Sequence, residues 1–357
     1  MPIIAVNVPP STFNEVMALV STERYASPEQ FLEIAAYNQL ALERGARVGD
    51  LLTRTTQTLS QGNSKKSEVT SAKKLPKTAI VRRDSAPISP ADYSAIASHF
   101  SIESLTEERL PKSPTPEETN ERIWGQVNRY LPFKVAARWI AIQASRNSEW
   151  PSVTSVLKSL PTDASIMGER VRKCDVDAER AREEMLSVGL PQHSDSAERF
   201  ITQIVGRLTR SERFHPGVLF QYGLVALQDT TIALTEAGIK FVCLHNPVID
   251  DELASEALSE AERKFLVDHI FAIVTLEASD FRSIFHAIKE GRTSPDALIA
   301  ASRSFLPESW TDLARRTHVY GLLARMGQLG LIGKNWEGRR VSYVASPMST
   351  VVAKQEQ

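Results

Sequence analysis

In the last sixty residues of the chain, a pattern typical of a helix is followed by one typical of a β-hairpin. This order limits the folds that the region can form. Apolar residues recur every three or four positions over 308–329, which predicts a helix with one buried face. Gly330 is typical of a helix end. Two short β-prone runs follow at 331–332 and 341–344, and a polar turn at 334–338 separates them. The sequence therefore predicts a helix followed by a β-hairpin.

This order resembles the winged-helix domains of MarR-type and ArsR-type regulators. The matching residues are 330–332 at the helix end, Gly338-Arg339 in the hairpin and Tyr343 after it. The match covers only this end of the chain, where a helix over 295–304 is predicted to precede the one over 308–329. The resemblance implies a recognition helix and a wing that contact duplex DNA.

The charge of this region agrees with an anionic partner. Residues 291–340 hold twice as many Lys and Arg as Asp and Glu, whereas the whole chain has a formal net charge of −1. Lys and Arg side chains can contact phosphates, and Thr or His can reach bases. The predicted DNA-binding residues are Thr311, Arg315, Arg316, His318 and Arg325 on the helix, and Lys334, Asn335, Arg339 and Arg340 on the hairpin.

The first 45 residues contain a second pattern, a short strand followed by two helices. The strand has Ile4, Val6 and Val8 on one face and Ile3, Ala5 and Asn7 on the other. This order resembles a ribbon-helix-helix module, and a unit so small needs a second copy to bury its core. The outward face has no Arg or Lys to read bases, so a homodimer is favoured over DNA reading.

The middle of the chain divides by composition. Residues 48–112 are polar and mostly basic, which predicts a flexible linker. This linker either contacts phosphates or only joins the N-terminal unit to the rest of the chain. Residues 113–248 resemble another winged helix, with a hairpin around Asp229 whose tip has no Lys or Arg. A role in packing or partner binding is therefore favoured there.

A helix from about 195 to 208 is predicted to expose Arg199, Gln203, Arg207 and Arg210, and the acidic stretch 250–262 is predicted to begin the last domain, 249–357.

The sequence gives little support to a membrane protein, a secreted protein, a metalloprotein or an enzyme. No apolar run is long enough to cross a bilayer and no signal peptide opens the chain, so a cytoplasmic protein is expected. Cys174 and Cys243 have no partner pattern, and the usual phosphate-loop, dinucleotide, nucleophile and zinc-protease motifs are missing. We therefore expect no catalytic residue, no metal and no cofactor.

The sequence thus predicts a mainly α protein with small β elements. Its order is a ribbon-helix-helix unit (1–47), a linker (48–112) and tandem winged-helix domains (113–248 and 249–357). The predicted function is DNA binding by a dimer that regulates transcription or shapes DNA. One alternative is a scaffold that binds a protein partner, similar to the kite subunits of condensin-like complexes. Another is a plasmid replication initiator.

Overall fold

The structure is a computed structural model that describes most of the chain from residue 87 to residue 346. The described residues are 17, 87–100, 111, 122–209, 213–251, 256–338 and 340–346. The chain divides into two compact units, Met1–Arg83 and Asp84–Gln357. The predicted ribbon-helix-helix module, apart from residue 17, and most of the predicted linker lie outside the described residues.

The second unit is mainly helical, with short antiparallel hairpins between the helices. Its helices are α1 (Pro90–His99), α2 (Leu131–Asn147), α3 (Val153–Asp177), α4 (Ser194–Ile204), α5 (Val218–Gln221), α6 (Glu236–Cys243), α7 (Pro247–Asp250), α8 (Glu260–Ile273), α9 (Thr275–Lys289), α10 (Pro295–Ala301) and α11 (Asp312–Gln328). Its strands are β1 (Gly206–Leu208), β2 (Phe214–Pro216), β3 (Val225–Gln228), β4 (Thr231–Leu234), β5 (Ile332–Glu337) and β6 (Arg340–Ala345). The prediction of a mainly α fold with small β elements is confirmed.

The strands pair in sequence order, β1 with β2, β3 with β4 and β5 with β6. Asp229 in the β3–β4 turn has φ +53° and Gly338 in the β5–β6 turn has φ +61°, the left-handed conformation that tight hairpin turns require. The β3–β4 hairpin lies where its turn residues predicted it. In the β5–β6 hairpin the predicted turn, 334–338, is wrong for 334–337, which belong to β5, and only Gly338 and Arg339 separate the two strands.

One order of elements occurs twice in the described part of the unit. In the first, α2, α3 and α4 precede the β3–β4 hairpin, and Ser152 before α3 forms a bridge with Thr231 of β4. In the second, α9, α10 and α11 precede the β5–β6 hairpin. There the carbonyl oxygen of Thr293, before α10, accepts a hydrogen bond of 2.8 Å from the amide of Tyr343. The first copy has an additional hairpin, β1–β2, after its third helix.

The linker predicted over 48–112 is wrong for residues 87–100, which contain α1. Ser89 and Asp92 form a capping box at the start of this helix, and the Ser89 amide donates to Asp92 over 2.7 Å. Tyr93 and Ile96 are buried against the rest of the unit. Tyr93, Ile96 and Phe100 follow helical spacing and are buried, but the polar, basic stretch before them led to the prediction of a linker.

The two domains predicted on either side of residue 248 share one hydrophobic core. Buried charges also join them. Lys134 forms an ion pair with Glu262, and Arg138 forms one with Asp250. The acidic stretch 250–262 was predicted to be a linker and the start of a helix, but two of its carboxylates neutralise cations of α2. Because these partners are more than 100 residues apart, the sequence does not show that they meet.

Candidate nucleic-acid interface

The predicted recognition helix is α11, and most of its predicted DNA-binding residues are not exposed on it. Thr311 caps the helix, with its hydroxyl accepting from the amide of Ala314 over 3.2 Å. The Arg315 side chain is buried and donates to backbone carbonyls of the loop before the helix, including that of Pro307 at 2.6 Å. Arg315 therefore fixes this loop, and its predicted contact with DNA is wrong.

His318 and Arg325 are also inside the molecule. His318 Nε2 lies 3.0 Å from Asp280 Oδ2, and both side chains are almost fully buried. Arg325 Nε donates to Glu277 Oε1 over 2.6 Å, and a second nitrogen donates to the carbonyl of Val127. Burial by itself would lower the pKa of Arg325, but the Glu277 carboxylate raises it above its usual value. The expectation that both residues are exposed to DNA is wrong, since both side chains are buried and bound to carboxylates.

The segment 122–130 explains this burial because it lies across the side of α11 that was predicted to be exposed. A Cβ atom at Gly321 would meet the carbonyl oxygen of Gly125 at 2.3 Å, so the two backbones are in direct contact. Further along the helix, the Tyr130 amide donates to Gln328 over 2.9 Å. Of the predicted cations on α11, only Arg316 stays exposed, and its guanidinium lies 3.9 Å from Asp296.

The β5–β6 hairpin keeps its predicted residues at the surface. Lys334, Asn335 and Arg340 are exposed, whereas Arg339 lies outside the described residues. Trp336 near the tip is 61% exposed. The pKa of Lys334 is lowered, first by partial burial and then by the positive charge of Arg129. The hairpin therefore still offers cations to a ligand.

A second basic surface lies on α4 and the β1–β2 hairpin. The His193 ring caps α4 by accepting from the Ser196 amide over 3.3 Å. Phe200, Ile201 and Ile204 bury one face of the helix, which leaves Arg199 on the exposed side. Sequence periodicity predicted that this helix continues to residue 208. The chain instead turns at Gly206 (φ +135°) into β1.

The β1–β2 hairpin adds cations next to those of α4. Arg207 is paired with His215 across the two strands, and both are exposed. Arg213 lies just before β2. Within the part of the chain that the structure describes, Arg199, Arg207 and Arg213 form no ion pair with a carboxylate. The sequence predicted that Arg199 and Arg207 are exposed, but it predicted neither Arg213 nor the hairpin that brings Arg207 and Arg213 beside α4.

Arg129 lies between the two basic surfaces. It lines a cleft of about 430 Å³ together with Arg199 and another of about 500 Å³ together with Lys334. Its guanidinium donates to the carbonyls of Asn128 and Glu183, each over 3.0 Å. Arg129 therefore lies between Arg199 and Lys334, and the carboxylates of Glu183 and Glu184 line the second cleft beside it.

The described residues contain neither a metal site nor a disulfide bond. No group of three or more His, Cys, Asp or Glu side chains is placed there to hold a metal ion. Cys174 is half-buried and Cys243 is exposed, and both are free thiols. None of the described helices is both long enough and apolar enough to cross a membrane.

Comparison with known proteins gives no further guide to this surface. No protein-family model, no curated protein and no solved structure matches the chain significantly. The functional argument therefore depends on the geometry and charge of the chain itself.

Proposed function

We propose that the unit Asp84–Gln357 binds duplex DNA and that the protein acts as a transcriptional regulator or an architectural DNA binder. The observation that carries this proposal is the group of arginines on α4 and β1–β2. Arg199 lies on α4, Arg207 on the adjoining β1 and Arg213 just before β2, and none has a carboxylate partner among the described residues. Unneutralised arginines on one surface attract the phosphate backbone and release its counterions.

The repeated order of three helices and a hairpin supports a tandem winged-helix arrangement. In helix-turn-helix folds the recognition helix lies in the major groove, with its N-terminal residues against base edges. In the second copy this helix is α11, whose side is covered by 122–130. In the first copy it is α4, on which Arg199 is exposed although the segment 126–132 lies beside the helix and Gln203 donates to Gln126 over 2.9 Å. We therefore assign base reading to α4, where Arg199 is suited to a bidentate contact with guanine.

The β5–β6 hairpin is proposed to add phosphate contacts through Lys334, Arg339 and Arg340. The N-terminal residues 1–45 are proposed to hold two chains together as a ribbon-helix-helix dimer. Two linked DNA-binding units bind with greater avidity than one, because the second contact becomes intramolecular. A replication initiator would use the same DNA surface, so this alternative differs only in the sequence that is bound.

The test is the salt dependence of DNA binding by the full chain. Fluorescence anisotropy with a labelled duplex of mixed sequence gives the affinity at several salt concentrations. Replacing Arg199, Arg207 and Arg213 together by Ala should weaken binding and lower the salt slope by about 0.9 for each lost phosphate contact. Replacing Arg339 and Arg340 by Ala should act in the same direction.

The matched control is Arg316→Ala, since this residue is the exposed cation of α11. It should leave both the affinity and the salt slope unchanged. A loss of affinity in Arg316→Ala with no loss in the triple variant would place the interface on α11 instead. If the wild-type chain does not bind duplex DNA at low salt, the proposed function is wrong.

A second candidate, a scaffold that binds a protein partner, is favoured by exposed apolar residues on α11. Leu313 is 73% exposed and Tyr320 is 43% exposed. They are seven positions apart and so lie on one side of the helix, which is the spacing of anchors that a partner helix or groove can contact. Replacing both by Glu should abolish such a partner interaction and leave DNA binding intact.

A further inference from the structure

The cleft beside α4 combines apolar walls with positive charge. It has a volume of about 430 Å³ and lies between α4 and two segments, 126–132 and 188–190. Pro132, Leu190 and Phe200 form an apolar floor and are almost fully buried there, and Arg129 and Arg199 contribute charge. No carboxylate is among its lining residues. The exposed lining is divided about equally between polar and apolar atoms, and the cleft has the size of a small-molecule site.

The positive charge of Arg129 favours an anionic ligand in this cleft. Its side chain is half-buried, and burial lowers its pKa. Its hydrogen-bond partners are the neutral carbonyls of Asn128 and Glu183, and within the described residues it forms no ion pair. A partly desolvated guanidinium without a counter-ion attracts an anion more strongly than an arginine in open water does.

The walls of the cleft are fixed by backbone geometry and hydrogen bonds. Gly189 has φ +89°, and a Cβ atom there would lie 2.9 Å from the Pro132 side chain. On the other wall, the Ser196 hydroxyl accepts from the amides of Gln192 and His193 over 2.8 and 3.0 Å. Two walls of the cleft, 126–130 and 188–190, are irregular segments, and these contacts hold 188–190 and the start of α4 in place.

Two other clefts in the described residues contain carboxylates as well as cations. In the cleft that contains Arg292 and His286, Glu290 lies 3.0 Å from both side chains. The cleft beside Lys334 is lined by as many carboxylates as cations, and Arg129 lines it together with Glu183 and Glu184. The α4 cleft differs because no carboxylate lines it.

We propose that the α4 cleft binds a small organic anion, an aromatic or aliphatic body that carries one carboxylate. The carboxylate faces Arg129 and Arg199, and the apolar body contacts Pro132, Leu190 and Phe200. Because Arg199 also belongs to the proposed DNA surface, the bound anion neutralises a DNA-binding residue and lowers the affinity for DNA. This regulatory part rests on the proposed function, whereas the ligand site does not.

Calorimetry on the full chain tests the site with 2-naphthoate as the probe and its neutral analogue 2-naphthamide as the comparison. We expect naphthoate to bind about tenfold or more tightly than the amide, as one charge-assisted hydrogen bond requires. Arg129→Gln and Arg199→Gln should each remove most of this difference. Arg282→Gln is the matched control, since this arginine lines a different cleft, and it should change nothing.

Several results would overturn the ligand site. Equal binding of the acid and the amide would mean that the cleft recognises apolar surface alone. Inorganic phosphate that competes with naphthoate at equal concentration would mean a general anion site without recognition of the apolar body. If Arg129→Gln does not fold, Arg199→Gln decides, and an unchanged naphthoate affinity in that variant would place the probe elsewhere. The absence of naphthoate binding to the wild-type chain would end the proposal.

The regulatory part has its own measurement. Naphthoate, but not naphthamide, should weaken DNA binding by the wild-type chain and should have no such effect on Arg129→Gln. If naphthoate binds and the chain does not bind DNA, the proposed function fails while the ligand site stands. If DNA binding follows the arginines of α4 but is unaffected by saturating naphthoate, the regulatory inference is wrong and the proposed function stands.

Discussion

Gly321 in α11 and Gly125 in the covering segment are in direct backbone contact. A Cβ atom at Gly321 would lie 2.3 Å from the Gly125 carbonyl oxygen, and one at Gly125 would lie 2.4 Å from the Cα atom of His318. Both atoms are backbone, so neither can move aside as the end of a side chain does. This contact lets the segment 122–130 lie close enough to α11 for Arg325 to reach the carbonyl of Val127.

Gly321→Ala should therefore destabilise the protein although alanine favours helices. Overpacking at a fixed contact typically costs about 1–3 kcal/mol, and helix propensity returns only about 1 kcal/mol. Chemical denaturation gives the free energy of unfolding. Gly327→Ala is the control in the same helix, because nothing lies within 4 Å of its Cβ position. It should stabilise by about 0.5–1 kcal/mol. A stabilised Gly321→Ala variant would contradict the close contact.

The ion pair of Lys134 and Glu262 is expected to behave as a coupled unit. Lys134 Nζ lies 2.9 Å from Glu262 Oε1, and both side chains are fully buried. Lys134→Met alone leaves a buried carboxylate without its cation, which typically costs about 3–5 kcal/mol. Adding Glu262→Gln removes the negative charge and should recover more than half of that loss. A double variant that is less stable than the single variant would contradict this coupling.

Lys134 should also make stability depend on pH. Burial lowers its pKa to about 8, although Glu262 acts in the opposite direction. In the unfolded chain a lysine titrates near about 10.4, so between these values the unfolded state binds more protons. The free energy of unfolding should therefore rise from about pH 8 to about pH 10.4, relative to the Lys134→Met/Glu262→Gln variant, and stay flat below this window. A difference that is constant across the window would exclude this titration.

Arg325→Met should lower stability without changing the interface with DNA. The substitution leaves Glu277 buried without its cation, which typically costs about 3–5 kcal/mol. In contrast, Arg316→Ala removes an exposed side chain and should stay within about 0.5 kcal/mol of the wild type. Thermal unfolding and the salt slope of DNA binding are measured on the same samples. A smaller salt slope for folded Arg325→Met would show that this arginine reaches DNA.

The dimer predicted from residues 1–45 is tested by a charge in its predicted core. Val6→Asp places an unpaired carboxylate between the two strands, where retaining the charge is too unfavourable. Light scattering should then show a monomer, and the avidity for DNA should be lost. Asn7→Asp is the control, since this residue is on the predicted outer face. A dimer that survives Val6→Asp means that these strands are not the interface.

The sequence by itself determined the local elements of the described part. The turn residues Asp229 and Gly338 predicted two hairpins, and apolar periodicity predicted the helix before the second one. These features depend on contacts between residues a few positions apart, so the printed order of residues contains them. Helix ends were predicted less well. The apolar run 153–160 and the charged stretch 163–188 read as two helices, whereas α3 continues through Pro161 as one and ends at Asp177.

Only the tertiary structure decided which side chains are available to a ligand. Arg315, His318 and Arg325 were predicted to be exposed, but they lie seven and four positions before Leu322 and three after it, so they share its side of α11. They are buried because the segment 122–130, the carboxylates of α9 and the carbonyls of a preceding loop surround them. Helical spacing therefore indicates that this side is buried, but it does not show which groups accept the charges there. These partners lie up to almost 200 residues away in the chain, and only the folded structure brings them together.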